Sequence, residues 1–298
     1  MKKSVLIVLL FLFSITIGYS QDWMTNLDVA KRLARVQNKL LFVMWEDSMQ
    51  YDFPVVYNDE NGVMYYTDLF MDENVNEALW QYFVPVILHE TTYEDLFKEI
   101  ENVRSDKYIQ KFQDDGIKIM DTNGNILNTA YFDLEPFNIA EFIVRYRLNT
   151  TFLKAQLSNY FQKKNFNTAF ALGAKYQDYA VLVNKDVRKE ITELAAVYLD
   201  ESRRLLETED VDNKPAFRQR LDLLALKKDL ILNKPRRVLR QLKKADTMIV
   251  DSMNLSLFAF LHYGAHTLLE NESEAAIWKS DVSLVDLKKA ELIYNINN

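Results

Sequence analysis

No cysteine occurs in these 298 residues. A thiolate is the attacking atom in disulfide exchange, so thiol redox chemistry is excluded whatever the fold. Lipid attachment at an N-terminal cysteine is excluded with it. Disulfide staples are absent too, and stability has to come from packing. Glycine is scarce: there are six, and beyond residue 150 only Gly173 and Gly264 remain. The chain has no glycine-rich loop to cradle a phosphate, no dinucleotide fingerprint and no Gly-x-Ser-x-Gly elbow. No cofactor is expected. Histidine is limited to His89, His262 and His266. Acidic side chains are plentiful, as on any solvated helical surface, and none of them forms a recognisable catalytic pair. Basic side chains are the minority, 36 against 43, for a net charge of −7. That balance argues against nucleic acid or an anionic membrane as the main partner.

The first twenty residues read as a cleaved secretory signal. Lys2 and Lys3 form a basic start, Val5 to Ile17 is an apolar run broken by Ser14 and Thr16, and Gly18-Tyr19-Ser20 leads to Gln21. The run is too short for a comfortable membrane span, and no later stretch is long and apolar enough to be one. The expected product is exported, periplasmic or secreted, with no stable membrane insertion after cleavage. With Lys2 and Lys3 removed, 34 basic side chains face 43 acidic ones, a net charge of −9. At 49% apolar and 13% aromatic residues, the remainder can build real cores.

Two halves follow the signal. Residues 21–148 mix short apolar runs with helical patterns, whereas residues 149–298 read as almost entirely helical. In the first half, Thr25 to Asp28 resembles a capping box ahead of Leu27, Ala30, Leu33 and Ala34 on one helical face. Asn38-Lys39 ends that helix. Leu40 to Trp45 has the pattern of a strand buried on both sides. Asp47 or Ser48 is placed to cap a following helix, and 55–66 reads as an irregular polar insert with a turn at Asn61-Gly62. Asp72 caps a helix carrying Val75, Ala78, Leu79 and Tyr82. Phe83 to Leu88 is a second apolar run, in which Pro85 removes a ladder donor. A polar helical stretch in two pieces spans Glu94 to Phe112. Gly116 to Met120 and Asn125 to Phe132 are strands joined by the turn Asp121-Thr122-Asn123-Gly124. Pro136 suits the first residue of a helix with Phe137, Ala140, Ile143 and Val144 on its apolar face. Helix-joined strands are parallel and hairpin strands antiparallel, so a mixed sheet covered by helices on both faces is expected.

Trp23, Ala30, Ala34, Asn38-Lys39, the run Leu40–Trp45, the segment 72–86 and Met120 to Gly124 together resemble bacterial exported thioredoxin-like proteins over residues 22–148. The resemblance implies a thioredoxin-like α/β domain. Aligned without gaps from Lys39, the family's Cys-x-x-Cys falls on Gln50-Tyr51-Asp52-Phe53, and its cis-proline falls near Asp115. Both elements of the redox site are missing. Two readings of the remnant stand side by side. In the first, Glu46, Asp47 and Asp52 serve simply as caps at a positive helix end. Alternatively Trp45, Tyr51 and Phe53 line a groove for peptide, as that fold often provides.

In the second half, helices are expected over Phe152–Tyr160, Phe166–Tyr179, Val187–Leu206, Ala216–Leu232, Pro235–Lys244, Leu255–Leu269 and from Glu274 onward. Asn165-Phe166 with Ala169 resembles Lys234-Pro235 with Val238, 69 residues on, about twice the ~34-residue period of tetratricopeptide repeats. Gly264 and Ala276 sit twelve apart, as that repeat's small positions do. This half therefore resembles a tetratricopeptide-type helical-hairpin array, an architecture that holds protein segments. His262 and His266 lie four apart on one helix, with Glu270 continuing the line, a set that could hold zinc but lacks a His-Glu-x-x-His base. The sequence thus points to a non-catalytic, redox-inactive cell-envelope protein that binds a protein or peptide partner. The alternative is a metal-dependent enzyme using His262 and His266.

Overall fold

Six apolar residues, Leu40–Trp45, form the strand (β1) around which the first half is organised. Every one of them is buried. Leu40, Phe42 and Met44 pack into one apolar cluster, and Leu41, Val43 and Trp45 into another on the opposite face. A strand with both faces covered needs this unbroken apolar run. The computed structural model describes residues 22–58, 62–130, 137–245 and 250–298. The residues expected to form a secretory signal, Asn61 of the expected turn, Phe132 and Pro136 lie outside the described residues.

Helix α1 (Leu27–Gln37) leads into β1. Its cap is Asn26, whose side chain accepts from the Val29 amide, rather than Thr25. Asn38 ends it in the left-handed conformation, φ 56°, where asparagine is tolerated. After β1 the structure departs from expectation. Glu46–Gln50 is a short 3-10 turn with no side-chain cap, so neither Asp47 nor Ser48 opens an α-helix. The chain then runs into a hairpin of β2 (Pro54–Asn58) and β3 (Met64–Asp68) where an irregular insert was expected. Val55-Val56 and Tyr65-Tyr66 favour extended backbone, and Val55 and Val56 are buried.

Helix α2 (Glu73–Tyr82) is capped by Asp72 as its sequence suggests, with amides of Asn74 and Val75 donating to the carboxylate. It feeds β4 (Phe83–Leu88), which lies parallel to β1 at the edge of the sheet. Met24 bridges the outer side of β4, donating to the Pro85 carbonyl and accepting from Ile87. Pro85 therefore turns its missing donor away from β1, and the ladder loses nothing. Helices α3 (Tyr93–Ile100) and α4 (Asp106–Gln113) follow. The hairpin of β5 (Ile117–Met120) and β6 (Ile126–Ala130) completes a four-stranded sheet of order β4-β1-β5-β6, with β5 antiparallel to both neighbours. Only Gly124 in its turn has positive φ, 86°, and the register slips between Ile119 and Met120. A second sheet pairs β2 with β3 and with β7 (Phe137–Asn138).

Helix α5 (Ile139–Tyr146) starts later than Pro136 and is capped by Asn138. The shift rotates its buried face to Ile139, Phe142, Ile143 and Tyr146, leaving the expected core residue Val144 exposed. The remainder is helical: α6 (Lys154–Gln162), α7 (Phe166–Ala180), α8 (Lys185–Thr208), α9 (Lys214–Ile231), α10 (Pro235–Ala245), α11 (Leu255–Leu268), α12 (Glu272–Trp278) and α13 (Leu284–Asn295). The stretch from Glu274 onward is thus two helices, parted by a 3-10 turn at Lys279–Asp281. Ala169 and Val238, the matched positions of the apparent repeat, are both fully buried. Ala276 is exposed and its neighbour Ala275 is buried, so the Gly264–Ala276 spacing does not mark two packed small residues. One apolar cluster runs unbroken from Phe42 in β1 through Tyr176 and Tyr198 to Ile293 in α13, so the sheet and the helices share a core.

Candidate functional site

The end of β1 is where the sequence resemblance puts the redox pair. Trp45 is buried there, packed against Tyr93 and Phe112 at 5.4 and 5.9 Å between ring centres. Phe53 belongs to the other face of the sheet, 5.9 Å from Phe70. Tyr51, 76% exposed, stands between them in solvent. The three aromatic residues therefore do not converge on one groove. Gln50 is exposed and donates to Asp47 at 2.8 Å, and Asp52 and Asp115 are exposed as well. The anchor of this segment is Asp68, a residue the sequence did not single out. Its carboxylate accepts from the amides of Phe53, Phe70 and Met71 at 2.6, 2.9 and 3.1 Å. Residues 50–53 end a 3-10 turn and lead into β2, so they do not themselves open a helix whose dipole could activate a thiol.

Below this surface lies Lys118 of β5, on the same face of the sheet as Trp45. It is 1% exposed, and its Nζ donates to the backbone carbonyls of Asp114 and Gly116 and sits 5.6 Å from the Trp45 ring centre. Burial pushes its pKa down to about 8, against the pull of Asp114, Asp115 and Glu90. Held by carbonyls and closed off from solvent, it is a structural cation rather than an accessible nucleophile.

A more elaborate polar arrangement stands where the halves meet. Asp121 in the β5–β6 turn is fully buried and accepts four hydrogen bonds. Two come from the amides of Asn123 and Asn125, at 2.9 and 3.0 Å, and two from the hydroxyls of Tyr176 and Tyr198 in the helical half. Burial raises the Asp121 pKa, opposed by these donors, which favour the anion. The Tyr176 and Tyr198 rings stack at 5.6 Å, and Tyr160 meets Tyr198 edge-on at 5.0 Å. Around them, α8 sets Glu190, Glu193 and Glu201 against Arg145, Lys107 and Arg104, at 2.7, 2.6 and 2.9 Å. Burial works against the Arg104 cation, but Glu201, together with Tyr108 and Tyr160, outweighs it and holds the pKa above the ordinary value.

Beside this network is a cavity of about 320 Å³, lined by Leu96, Ile100, Phe112, Met120 and Ile126 and by the exposed Glu99, Lys164 and Arg204. Lys31 crosses the turn at one side, so close that a side chain at Gly124 would meet its Cε at 2.7 Å. An apolar wall with a charged border suits binding, and clefts between units are common places for it. Little in the sequence announces this junction. Asp121 reads as an ordinary turn residue, and tyrosines inside helical patterns read as core.

The histidine pair is placed otherwise than a metal site would need. His262 is buried and lies flat on Trp278, with ring centres 4.0 Å apart. His266 stacks beyond it at 6.3 Å. Glu270 falls past the end of α11 in a left-handed conformation, φ 55°, where it accepts from the Tyr294 hydroxyl at 3.4 Å. Among the described residues no group of three histidine or acidic side chains is arranged to hold a metal ion. The described helices include none long and apolar enough to cross a membrane. The chain matches no protein-family model, no curated protein and no solved structure with which it was compared.

Proposed function

We propose that this is an exported, redox-inactive thioredoxin-like protein of the cell envelope, with a helical region of tetratricopeptide-repeat type, that holds a protein or peptide partner without catalysing a reaction. The observation that carries this reading is the four-stranded sheet of order β4-β1-β5-β6, with one parallel pair, one hairpin and helices on both faces, in a chain without a thiol. Such a scaffold offers shape and recognition surfaces but no reactive sulfur. Export rests on the basic-then-apolar pattern of the first twenty residues. The cavity at the junction is the surface best suited to the partner.

The test is capture from envelope extracts by immobilised protein, with Leu96→Arg and Ile100→Arg as paired variants. Both positions are half-buried, so the variants should fold. A stoichiometric partner retained by the wild type and lost from the variants is the expected result. No partner at all, together with turnover in a hydrolase screen, would replace this reading with an enzymatic one.

A further inference from the structure

Helix α10 carries Arg236, Arg237, Arg240, Lys243 and Lys244 and no acidic residue. In a chain of net charge −7 this is a local reversal of sign. Its apolar stripe is already used, because Val238 and Leu242 are fully buried in the shared core. The cations remain outside. Asp229 neutralises part of the array, holding Arg237 at 3.0 Å and Lys234 at 3.6 Å. Arg236, Arg240 and Lys243 are exposed, and none of the described residues pairs with them. Steps of four and three residues put these three on one helical face. Along the axis Arg240 stands about 6 Å from Arg236, and Lys243 about 4.5 Å further on. Like charges so spaced repel, and an arriving anion relieves that cost.

We infer that the exposed face of α10 binds an acidic segment of a partner protein, presented as extended chain with carboxylates at alternate positions. Alternate side chains of an extended segment recur about every 6.8 Å, close to the roughly 6 Å between Arg236 and Arg240. The two guanidinium groups can each take a carboxylate through paired hydrogen bonds, a geometry lysine does not offer. A narrow segment meets only α10. A bilayer or a duplex presents a broad anionic surface that would also meet the acidic remainder of the molecule, and α10 has no free apolar face to insert. The proposal goes beyond the binding reading above. It names a surface separate from the junction cavity and stands whether or not that cavity is occupied.

The probe is a fluorescent peptide of alternating glutamate and serine, titrated with the purified protein at about 20 and about 150 mM salt. Saturable binding that weakens at the higher salt is expected. R236E/R240E/K243E should lower the affinity by about tenfold or more, while a charge-matched variant elsewhere, K98E/K163E/K279E, keeps it. Should the first variant fail to fold, R236Q/R240Q/K243Q reads the same loss at smaller amplitude. Absence of saturable binding, or an equal loss in the charge-matched control, overturns the inference. So does stronger binding to phosphatidylglycerol vesicles or to a DNA duplex than to the peptide. The envelope-capture experiment with Leu96→Arg and Ile100→Arg is indifferent to all of these outcomes, so either proposal can fail alone.

Discussion

The Tyr176 hydroxyl, in the helical half, donates to the buried carboxylate of Asp121, in the turn of the sheet, at 3.0 Å across 55 residues of sequence. Tyr198 donates to the same oxygen. Removing the acceptor strands two buried hydroxyls and two amides, so Asp121→Ala should cost about 2–4 kcal/mol. Tyr176→Phe deletes one donor of four and should cost about 1 kcal/mol. Urea unfolding measures both. Three of the four tryptophans, Trp23, Trp45 and Trp80, lie in the α/β half, whereas most of the helix lies beyond it. Tryptophan fluorescence and far-ultraviolet dichroism should therefore follow one coincident transition, because the core is shared. Two separated transitions would show that the halves unfold independently.

Lys118 makes stability depend on pH in a direction that can be worked out. Its folded pKa, about 8, lies below the ordinary lysine value of 10.5. Below about pH 8 both folded and unfolded chains carry the proton, and the fold bears the full cost of burying the cation. Between 8 and 10.5 the folded chain has released it while the unfolded chain keeps it, so stability from this group rises with pH, by up to about 1.4 kcal/mol per unit. Lys118→Met removes the effect. Measured as the difference between wild type and variant, which cancels other titrating groups, the wild type should gain on the variant from pH 7.5 to 10. A difference that stays flat across that range would mean the ammonium is not desolvated.

The two glycines of the helical half make opposite demands. A Cβ at Gly173 would lie 2.7 Å from Leu199 Cγ and 3.1 Å from the Ala195 carbonyl, so α7 and α8 touch there through backbone as well as side chain. Gly173→Ala should lose about 1–2 kcal/mol, overpacking outweighing the gain in helix propensity. At Gly264 the close atom, at 2.9 Å, is only the Leu230 Cδ2 methyl, which can turn aside. Gly264→Ala should be neutral or slightly stabilising, since alanine gains about 1 kcal/mol over glycine inside a helix. Thermal unfolding separates the two, and equal effects would contradict the packing described.

Much of the architecture was legible because it depends on local pattern. The run Leu40–Trp45 announces a strand covered on both faces, and Asp72 announces a helix start, since one residue type in one place has one cheap solution. The hairpin of β2 and β3 was hidden because its pairing partner β7 is two residues long and lies some eighty positions away. Its polar composition reads as a loop until that partner is known. The helix α5, expected to open at Pro136, starts instead after Asn138, whose side-chain oxygen accepts from the Glu141 amide. The junction was hidden more deeply. Charge pairs such as Arg104–Glu201 and the tyrosine bonds to Asp121 join residues 55 to 97 positions apart, and no periodicity signals them.

The positions to which the redox pair of the proposed family would align offer the sharpest test of how far this chain stands from sulfur chemistry. Cysteines placed at both Gln50 and Phe53 would occupy the positions to which the family's pair aligns. Position 53 lies in extended chain fixed to Asp68, and position 50 ends a 3-10 turn, so neither thiol would sit at a helix N-terminus. Glu46, Asp47 and Asp52 stand on the same segment and oppose a thiolate. Both thiols should therefore titrate at or above about 8.5, followed by the pH dependence of alkylation, and insulin reduction should stay at background. A thiol titrating near 7, or efficient insulin reduction, would mean that the strand end still supplies the electropositive setting that a redox cysteine requires.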